Sequence, residues 1–188
     1  MVQNAWRRKV ARREIKRMIK EQWQKFKDKK EGKYHALLAN KISKILKKNI
    51  LVVPRVYADE ISNNDDDYLK HFIKTLDSKI KIFYCGNTIV QDKIFTKIKI
   101  MKSLINSEKT IIWDNFYAND YCPRRLFVGP WKNRNKFKNI LINGTGMLNT
   151  DLLILDIVKK CQFSKKPHEI WKKVLLDNNI PKAFFKIS

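Results

Sequence analysis

A short β-branched run that ends abruptly in a polar loop occurs twice in the second half of this chain. Residues 110–113, with the sequence TIIW, precede Asp114 and Asn115, and residues 140–142, with the sequence ILI, precede Asn143. In α/β folds, the loops that follow strands carry many of the functional side chains. The sequence therefore predicts two strands that deliver a carboxylate and two carboxamides to one edge of a sheet.

Strand and helix patterns alternate along the rest of the chain after Gly32. Buried strands are predicted at residues 50–53 and 79–85, and amphipathic helices at 37–46, 68–76, 94–104, 150–160 and 168–176. This alternation is typical of parallel strands joined by right-handed crossovers. A complete eight-stranded barrel takes about 250 residues, so four strands correspond to about half of one. The predicted fold is α/β: a partial (β/α) barrel of about four β/α units after a long basic helix.

Residues 1–33 differ in composition from the remainder. They carry 13 Lys and Arg against 4 acidic residues, and their apolar residues recur every three to five positions, which predicts one long cationic helix. Three interpretations stay open: an arm that binds nucleic acid or a ribosome, a mitochondrial targeting helix, and a solvated helix docked on the domain. The predicted organisation is a helical arm at 1–33, a half-barrel at 34–162 and a helical tail at 163–188.

The chain carries a formal net charge of +23, from 41 Lys and Arg against 18 Asp and Glu. This charge predicts attraction to polyanions such as RNA. The three cysteines are widely spaced, which indicates a reducing compartment such as the cytoplasm, with the mitochondrion as the alternative in a eukaryote. No apolar run reaches the roughly 18 residues of a membrane span, and no apolar signal-peptide core is found near the N-terminus.

Several motifs between residues 53 and 143 resemble one family in their order and spacing. They are VPxxY at residues 53–57, IFYCG at 82–86, WDNxxANDY at 113–121, RLxxGP at 125–130, Arg134, and IN at 142–143. This succession resembles the catalytic domain of the β-N-acetylglucosaminidase family that includes protein O-GlcNAcase and bacterial hyaluronidase-like enzymes, glycoside hydrolase family eighty-four. The resemblance extends over about residues 34–160 and implies a (β/α)₈ barrel of which this chain is the second half.

The resemblance also implies which residues contact the sugar. The predicted substrate-binding residues are Tyr57, Trp113, Asn115, Asp120 and Asn143. Carboxylates and carboxamides bind vicinal hydroxyl groups, and an aromatic ring such as Trp113 covers an apolar face of the sugar. Two arginines of the motifs, Arg125 and Arg134, are interpreted as residues that fix the loop.

The resemblance implies substrate-assisted hydrolysis, in which the acetamido oxygen of the sugar attacks the anomeric carbon. Two adjacent Asp residues on the fourth strand orient the acetamide and protonate the leaving group, unlike ordinary two-carboxylate hydrolysis. We expect this pair to be missing here, so no catalytic residue is assigned and negligible hydrolysis by the chain alone is predicted. The run at residues 65–67, DDD, is better explained by helix capping and solubility.

The expected ligand is therefore an N-acetylglucosaminyl sugar, and a chain that supplies the other barrel half is an expected partner. Neither a cofactor nor a metal site is predicted. The alternative function is a non-enzymatic basic module, in which residues 1–33 and the positive charge bind RNA or a ribosome. Trp131 and Trp171 are predicted to be packing residues, since they lack the aromatic and basic alternation of a single-strand-binding surface.

Overall fold

The computed structural model describes residues 17, 27–62, 66–118, 129 and 131–182 of the chain. Two residues singled out from the sequence, Asp120 and Arg125, lie outside this part, as does most of the predicted arm.

The described residues form one four-stranded sheet. Its strands are β1 (Leu51–Val52), β2 (Lys81–Tyr84), β3 (Thr110–Asp114) and β4 (Ile140–Ile142). They lie in the order β1-β2-β3-β4, and every neighbouring pair is parallel. Sequential parallel neighbours are the arrangement of one part of a (β/α) barrel. The predicted partial barrel is confirmed.

One helix precedes β1, one lies in each of the connections β1–β2 and β2–β3, and two follow β4. Residues 27–46 form α1, and the others are α2 (Asp67–Thr75), α3 (Lys99–Leu104), α4 (Leu148–Cys161) and α5 (Pro167–Asp177). Short 3-10 turns lie at Asp59–Ile61 and Arg134–Lys136. Among the described residues, no helix has both the length and the apolar character needed to cross a membrane.

The helix predicted at residues 94–104 begins later than its apolar periodicity indicates. Residues 94–98 form neither helix nor strand, and helical geometry starts only at Lys99. The reason is tertiary: Asn133 bonds both the amide and the carbonyl of Ile94, at 3.0 and 2.7 Å. These bonds replace the ones that a helix would form.

The capping prediction for α2 is correct in position and wrong in mechanism. Asp66 occupies the N-cap position, but its side chain forms no capping hydrogen bond, and its backbone is not extended. Asp67 in the first turn still places a negative charge beside the positive end of the helix dipole, which is a weaker source of stabilisation.

Helix α1 continues through residues 33 and 34 without a break, although the sequence places a domain boundary there. Gly32 allows this helix to approach α2 closely, because a Cβ atom at this position would lie 2.3 Å from the carbonyl oxygen of Tyr68. His35 adds a hydrogen bond of 2.6 Å to the Tyr68 hydroxyl. The described end of the predicted arm is therefore packed against the domain.

Two main clusters of buried side chains form the core. The first joins α1, α2, α3 and β2, and the second joins the residues after β3 to α4 and α5. Trp131 and Trp171 are both buried in the second cluster, which confirms their interpretation as packing residues. Since α5 belongs to this cluster, the predicted tail contributes to the core.

The two faces of the sheet differ in what covers them. Ile82, Tyr84 and Ile112 are fully buried, whereas Phe83, Ile111 and Trp113 alternate with them and are only half-buried. In a strand, successive side chains point to opposite faces. One face therefore packs under the helices, and the other is a partly open aromatic and aliphatic surface.

Candidate functional site

The segment after β1 is held as an extension of the sheet, and this placement positions Tyr57. The Cys85 amide donates to the Tyr57 carbonyl at 2.7 Å, and the Asp59 amide donates to the Gly86 carbonyl at 2.9 Å. Ala58 forms a parallel bridge with Gly86. Because these bonds continue the β1–β2 ladder, Tyr57 is fixed at the carboxyl edge of the sheet.

The carboxylate of Asp59 anchors the same segment from the helix side of the sheet. It accepts hydrogen bonds from the Tyr84 hydroxyl, from the Thr96 hydroxyl at 2.7 Å, and from the Lys97 amide at 2.5 Å. Burial and the bond to this carboxylate raise the pKa of Tyr84, so its hydroxyl stays a donor at neutral pH. No local pattern in the sequence predicts this role, because the partners of Asp59 lie 25 or more residues further along the chain.

An aromatic group occupies the open face next to this edge. The ring of Trp113 lies 5.8 Å from that of Tyr57 and 6.1 Å from that of Phe83, between centroids, in tilted geometry. Such spacings are typical of favourable aromatic pairs. The structure thus brings together Tyr57 and Trp113, two of the predicted site residues, although they lie on segments far apart in sequence.

The two predicted carboxamides are hydrogen-bonded to each other. Asn143 Nδ2 donates to Asn115 Oδ1 at 3.2 Å, and Asn115 Nδ2 donates to the Ile89 carbonyl at 3.3 Å. Because the Ile89 carbonyl can only accept, it fixes the orientation of the Asn115 amide, which in turn fixes that of Asn143. Within the described residues, this orientation leaves Oδ1 of the Asn143 side chain available as a hydrogen-bond acceptor.

Cys85 lies beside the carboxamides, with its Sγ atom 3.4 Å from Asn115 Nδ2. Burial, with the nearby Asp114 carboxylate as a lesser cause, raises the pKa of the Cys85 thiol to about 12. The thiolate is the nucleophilic form of cysteine, so this group is chemically inert at neutral pH. Its contribution to the site is its size and its weak polarity.

Asp114 does not join the polar edge in the way the sequence predicts. Its carboxylate is buried and paired with Arg134, from Nε to Oδ2 at 2.5 Å and from Nη2 to Oδ1 at 3.0 Å. The remaining guanidinium bonds go to the carbonyls of Gln91, Asp92 and Lys132. The interpretation of Arg134 as a residue that fixes the loop is confirmed, and Asp114 is its partner.

The loop between β4 and α4 is organised by a second carboxylate. Asp151 accepts hydrogen bonds from the amide and hydroxyl of Thr145, at 2.7 and 2.8 Å, and from the Gly146 amide at 3.1 Å. These bonds lower the pKa of Asp151. They hold the turn that follows Asn143. The orientation of Asn143 therefore depends on this turn as well as on its hydrogen bond to Asn115.

A cavity of about 430 Å³ also lies near this region, beside the Asp59 segment. Asp59, Glu60, Asn87 and Thr88 are among its lining residues. The four predicted sugar contacts that the structure describes are not among its lining residues, so this cavity is separate from the polar edge made by Asn115 and its neighbours.

A sequence model described as beta-N-acetylglucosaminidase matches residues 7–148. The chain belongs to this family. The match covers well over half of the chain and begins within the segment predicted as an arm, so the β-N-acetylglucosaminidase similarity extends further toward the N-terminus than the motifs at residues 53–143 indicate.

Curated relatives include protein O-GlcNAcase of Rattus norvegicus, 32% identical over 87 residues, and protein O-GlcNAcase of Mus musculus, 33% identical over 81 residues. These alignments cover 44% and 40% of this chain but only 10% and 9% of the relatives. The solved structure of CpGH84B superposes with a TM-score of 0.62 at 21% identity, over 77% of this chain and 29% of that one. The chain therefore spans only a small part of the length of each relative.

Proposed function

We propose that this chain is the sugar-binding half of a β-N-acetylglucosaminidase-type barrel and that it binds a terminal N-acetylglucosaminyl residue at the carboxyl edge of its sheet. The observation that supports this most directly is the meeting of Tyr57 and Trp113 with Asn115 and Asn143 at one edge. Family membership and the shared fold support the same sugar class.

The chemistry of these groups suits an amino sugar. The Trp113 and Tyr57 rings offer a partly exposed apolar wall for the carbon face of a pyranose. The Asn143 carbonyl oxygen is oriented to accept from a sugar hydroxyl or from an acetamido N–H. Asp120, in the same family motif, is proposed as a further acceptor for hydroxyl groups.

Binding is tested by titrating N-acetylglucosamine into the 188-residue chain while recording amide and indole chemical shifts. We expect shifts at Trp113 and Asn143, with an affinity at least tenfold weaker for glucose, which lacks the acetamido group. No shift up to about 50 mM sugar, far above the millimolar affinity that corresponds to about 4 kcal/mol, would count against the proposal.

Three variants locate the site. Trp113→Ala and Asn143→Ala should each weaken binding about tenfold, since one ring contact or one hydrogen bond is worth about 1 kcal/mol or slightly more. Asn149→Ala is the matched control, because Asn149 is an exposed carboxamide in the first turn of α4. Equal effects of the two Asn substitutions would place the binding site elsewhere.

We further propose that the chain by itself does not hydrolyse glycosides. Among the described site residues, the carboxylates of Asp59 and Asp114 are engaged in structural hydrogen bonds rather than directed at the open face. The test is release of 4-nitrophenol from its N-acetylglucosaminide, with and without the N-terminal barrel half of CpGH84B. Turnover by the chain alone contradicts this part of the proposal, and its absence in a verified complex counts against an enzymatic role.

The net charge of +23 favours a second candidate, the binding of structured RNA. Helix α1 and the two residues after it contribute exposed lysines to this charge, at residues 33, 41, 44, 47 and 48. Binding of this kind weakens steeply with salt, because each neutralised phosphate releases counterions. A flat salt response, or undiminished binding after α1 lysines are changed to glutamine, would exclude this candidate.

A further inference from the structure

Both ends of the described sheet are open and apolar. Beyond β1 and beyond β4, the described part of the chain supplies no further strand. Leu51 and Val53 are 52% and 42% exposed at the first edge, and Leu141 is 47% exposed at the other. Open strand edges with exposed aliphatic side chains are surfaces that pair with further strands unless they are protected.

The helices beside these edges continue the apolar surface. On α1, Leu38, Ile45 and Leu46 are each more than half exposed. On α4, the same is true of Leu148, Leu152 and Leu155. Monomeric proteins rarely expose several large aliphatic side chains together, and such surfaces usually mark an interface.

The open face of the sheet also carries apolar side chains that the described residues leave partly uncovered. Phe83, Ile111 and Trp113 lie on it with Leu51 and Leu141, which occupy the corresponding positions of the outer strands. In an eight-stranded barrel, large side chains of this kind fill the interior in layers. A sheet of four strands has the residues for half of such an interior.

We propose that two copies of this chain associate through these edges and close one eight-stranded parallel barrel. Rotation by 180° about the barrel axis places β4 of each copy beside β1 of the other, and all strands stay parallel. The two resulting contacts are equivalent, so the assembly is a closed twofold dimer with no free edge. Four strands from each copy give the number at which side chains fill the interior.

A second copy is the proposed partner because one chain carries both of the edges that must meet, β1 and β4. The rotation also places the exposed leucines of α4 beside the exposed aliphatic residues of α1 from the other copy, as neighbouring helices lie around a barrel. Each copy carries a charge of +23, so the two copies repel, and salt screens this repulsion. Dimer formation should therefore strengthen as salt rises, whereas binding to a polyanion weakens.

The test is analytical ultracentrifugation of the nucleic-acid-free, 188-residue chain over a hundredfold range of concentration, in low and in high salt. We expect a monomer–dimer equilibrium that shifts to dimer at high salt. Leu152→Glu on α4 and Leu141→Arg on β4 should each raise the dissociation constant about tenfold or more. Phe95→Glu is the control, because Phe95 is an exposed apolar residue between β2 and α3, away from both edges.

Circular dichroism of each variant confirms that the monomer stays folded. A folded wild-type chain that remains monomeric in high salt overturns the proposal, as do open-ended oligomers or an equal effect of the control substitution. Pairing only with an added barrel half, and not with itself, also overturns it. Sugar titrations of the monomeric Leu152→Glu variant keep this result separate from the proposed sugar binding.

Discussion

The Asp114–Arg134 pair makes a stability prediction whose size follows from its contacts. The Arg134 side chain is fully buried, and its guanidinium forms five hydrogen bonds: two to the Asp114 carboxylate and three to backbone carbonyls. It also stacks over Phe116, with its Cζ atom 4.5 Å from the ring centroid. Arg134→Met preserves much of the volume and removes every one of these bonds.

The cost arises mainly from the charge that remains. A buried carboxylate that has lost its partner destabilises a protein by about 3–5 kcal/mol, because neither water nor another cation replaces the guanidinium. This is a large part of the roughly 5–15 kcal/mol by which a domain is stable. Arg134→Lys should lose most of the same free energy, since an ammonium group cannot form the two-pronged contact.

The measurement is urea unfolding followed by circular dichroism, with linear extrapolation to water. Lys132→Met is the control: it breaks the exposed Lys132–Asp92 ion pair of 2.8 Å next to the same loop, which should cost about 1 kcal/mol or less. Asp114→Asn combined with Arg134→Met should cost less than the sum of the single changes by about 1–3 kcal/mol. Additive effects, or a loss below about 1 kcal/mol for Arg134→Met, would contradict this prediction.

Three further predictions concern single contacts. Gly32→Ala should destabilise the chain by about 1–3 kcal/mol, although alanine favours a helix, because the new Cβ would meet the Tyr68 carbonyl; a rise in urea midpoint would contradict the close packing. Burial lowers the pKa of His35, so the unfolded chain takes up a proton first and stability falls as pH drops below about 6.5. His35→Gln should therefore reduce the change in melting temperature between pH 7.5 and pH 5.5. An unchanged dependence of melting temperature on pH would show that another group is responsible. Asp151→Asn should lower the free energy of unfolding by about 1 kcal/mol at pH 7. Because hydrogen bonds from the Thr145 segment lower the pKa of Asp151, this difference from wild type should shrink as the pH falls below about 4. A difference in urea unfolding that stays constant with pH would show that the charge is not involved.

Strand and helix placement could be predicted wherever the pattern was local. The β-branched runs at residues 110–113 and 140–142 became β3 and β4 within one residue, and the helices at 68–76 and 150–160 became α2 and α4 with small shifts. The helix predicted at 94–104 is shorter in the structure, because the Asn133 carboxamide from a later segment binds the backbone of Ile94. A distant hydrogen bond leaves no periodicity in the sequence that it alters.

The candidate site was predictable in part. The family motifs identified Tyr57, Trp113, Asn115 and Asn143, and the structure brings these four to one edge. The strand-end pattern alone placed Asp114 and Asn115 at the same polar edge. The structure separates them: Asp114, the last residue of β3, pairs with Arg134, whereas Asn115, the residue after the strand, bonds Asn143. Adjacent residues of an extended chain point to opposite sides, so these two neighbours acquire different partners.

The α/β class, the four parallel strands, the family and the residue types at the carboxyl edge of the sheet follow from the sequence alone, because these depend on local periodicity and on motifs of fixed spacing. Which carboxylates serve as structural anchors depends on the tertiary fold. Asp59 and Asp114 meet partners 25 and 20 residues away, in Tyr84 and Arg134. These residues become neighbours in space because of how the chain crosses from strand to strand, and no single stretch of sequence contains that information.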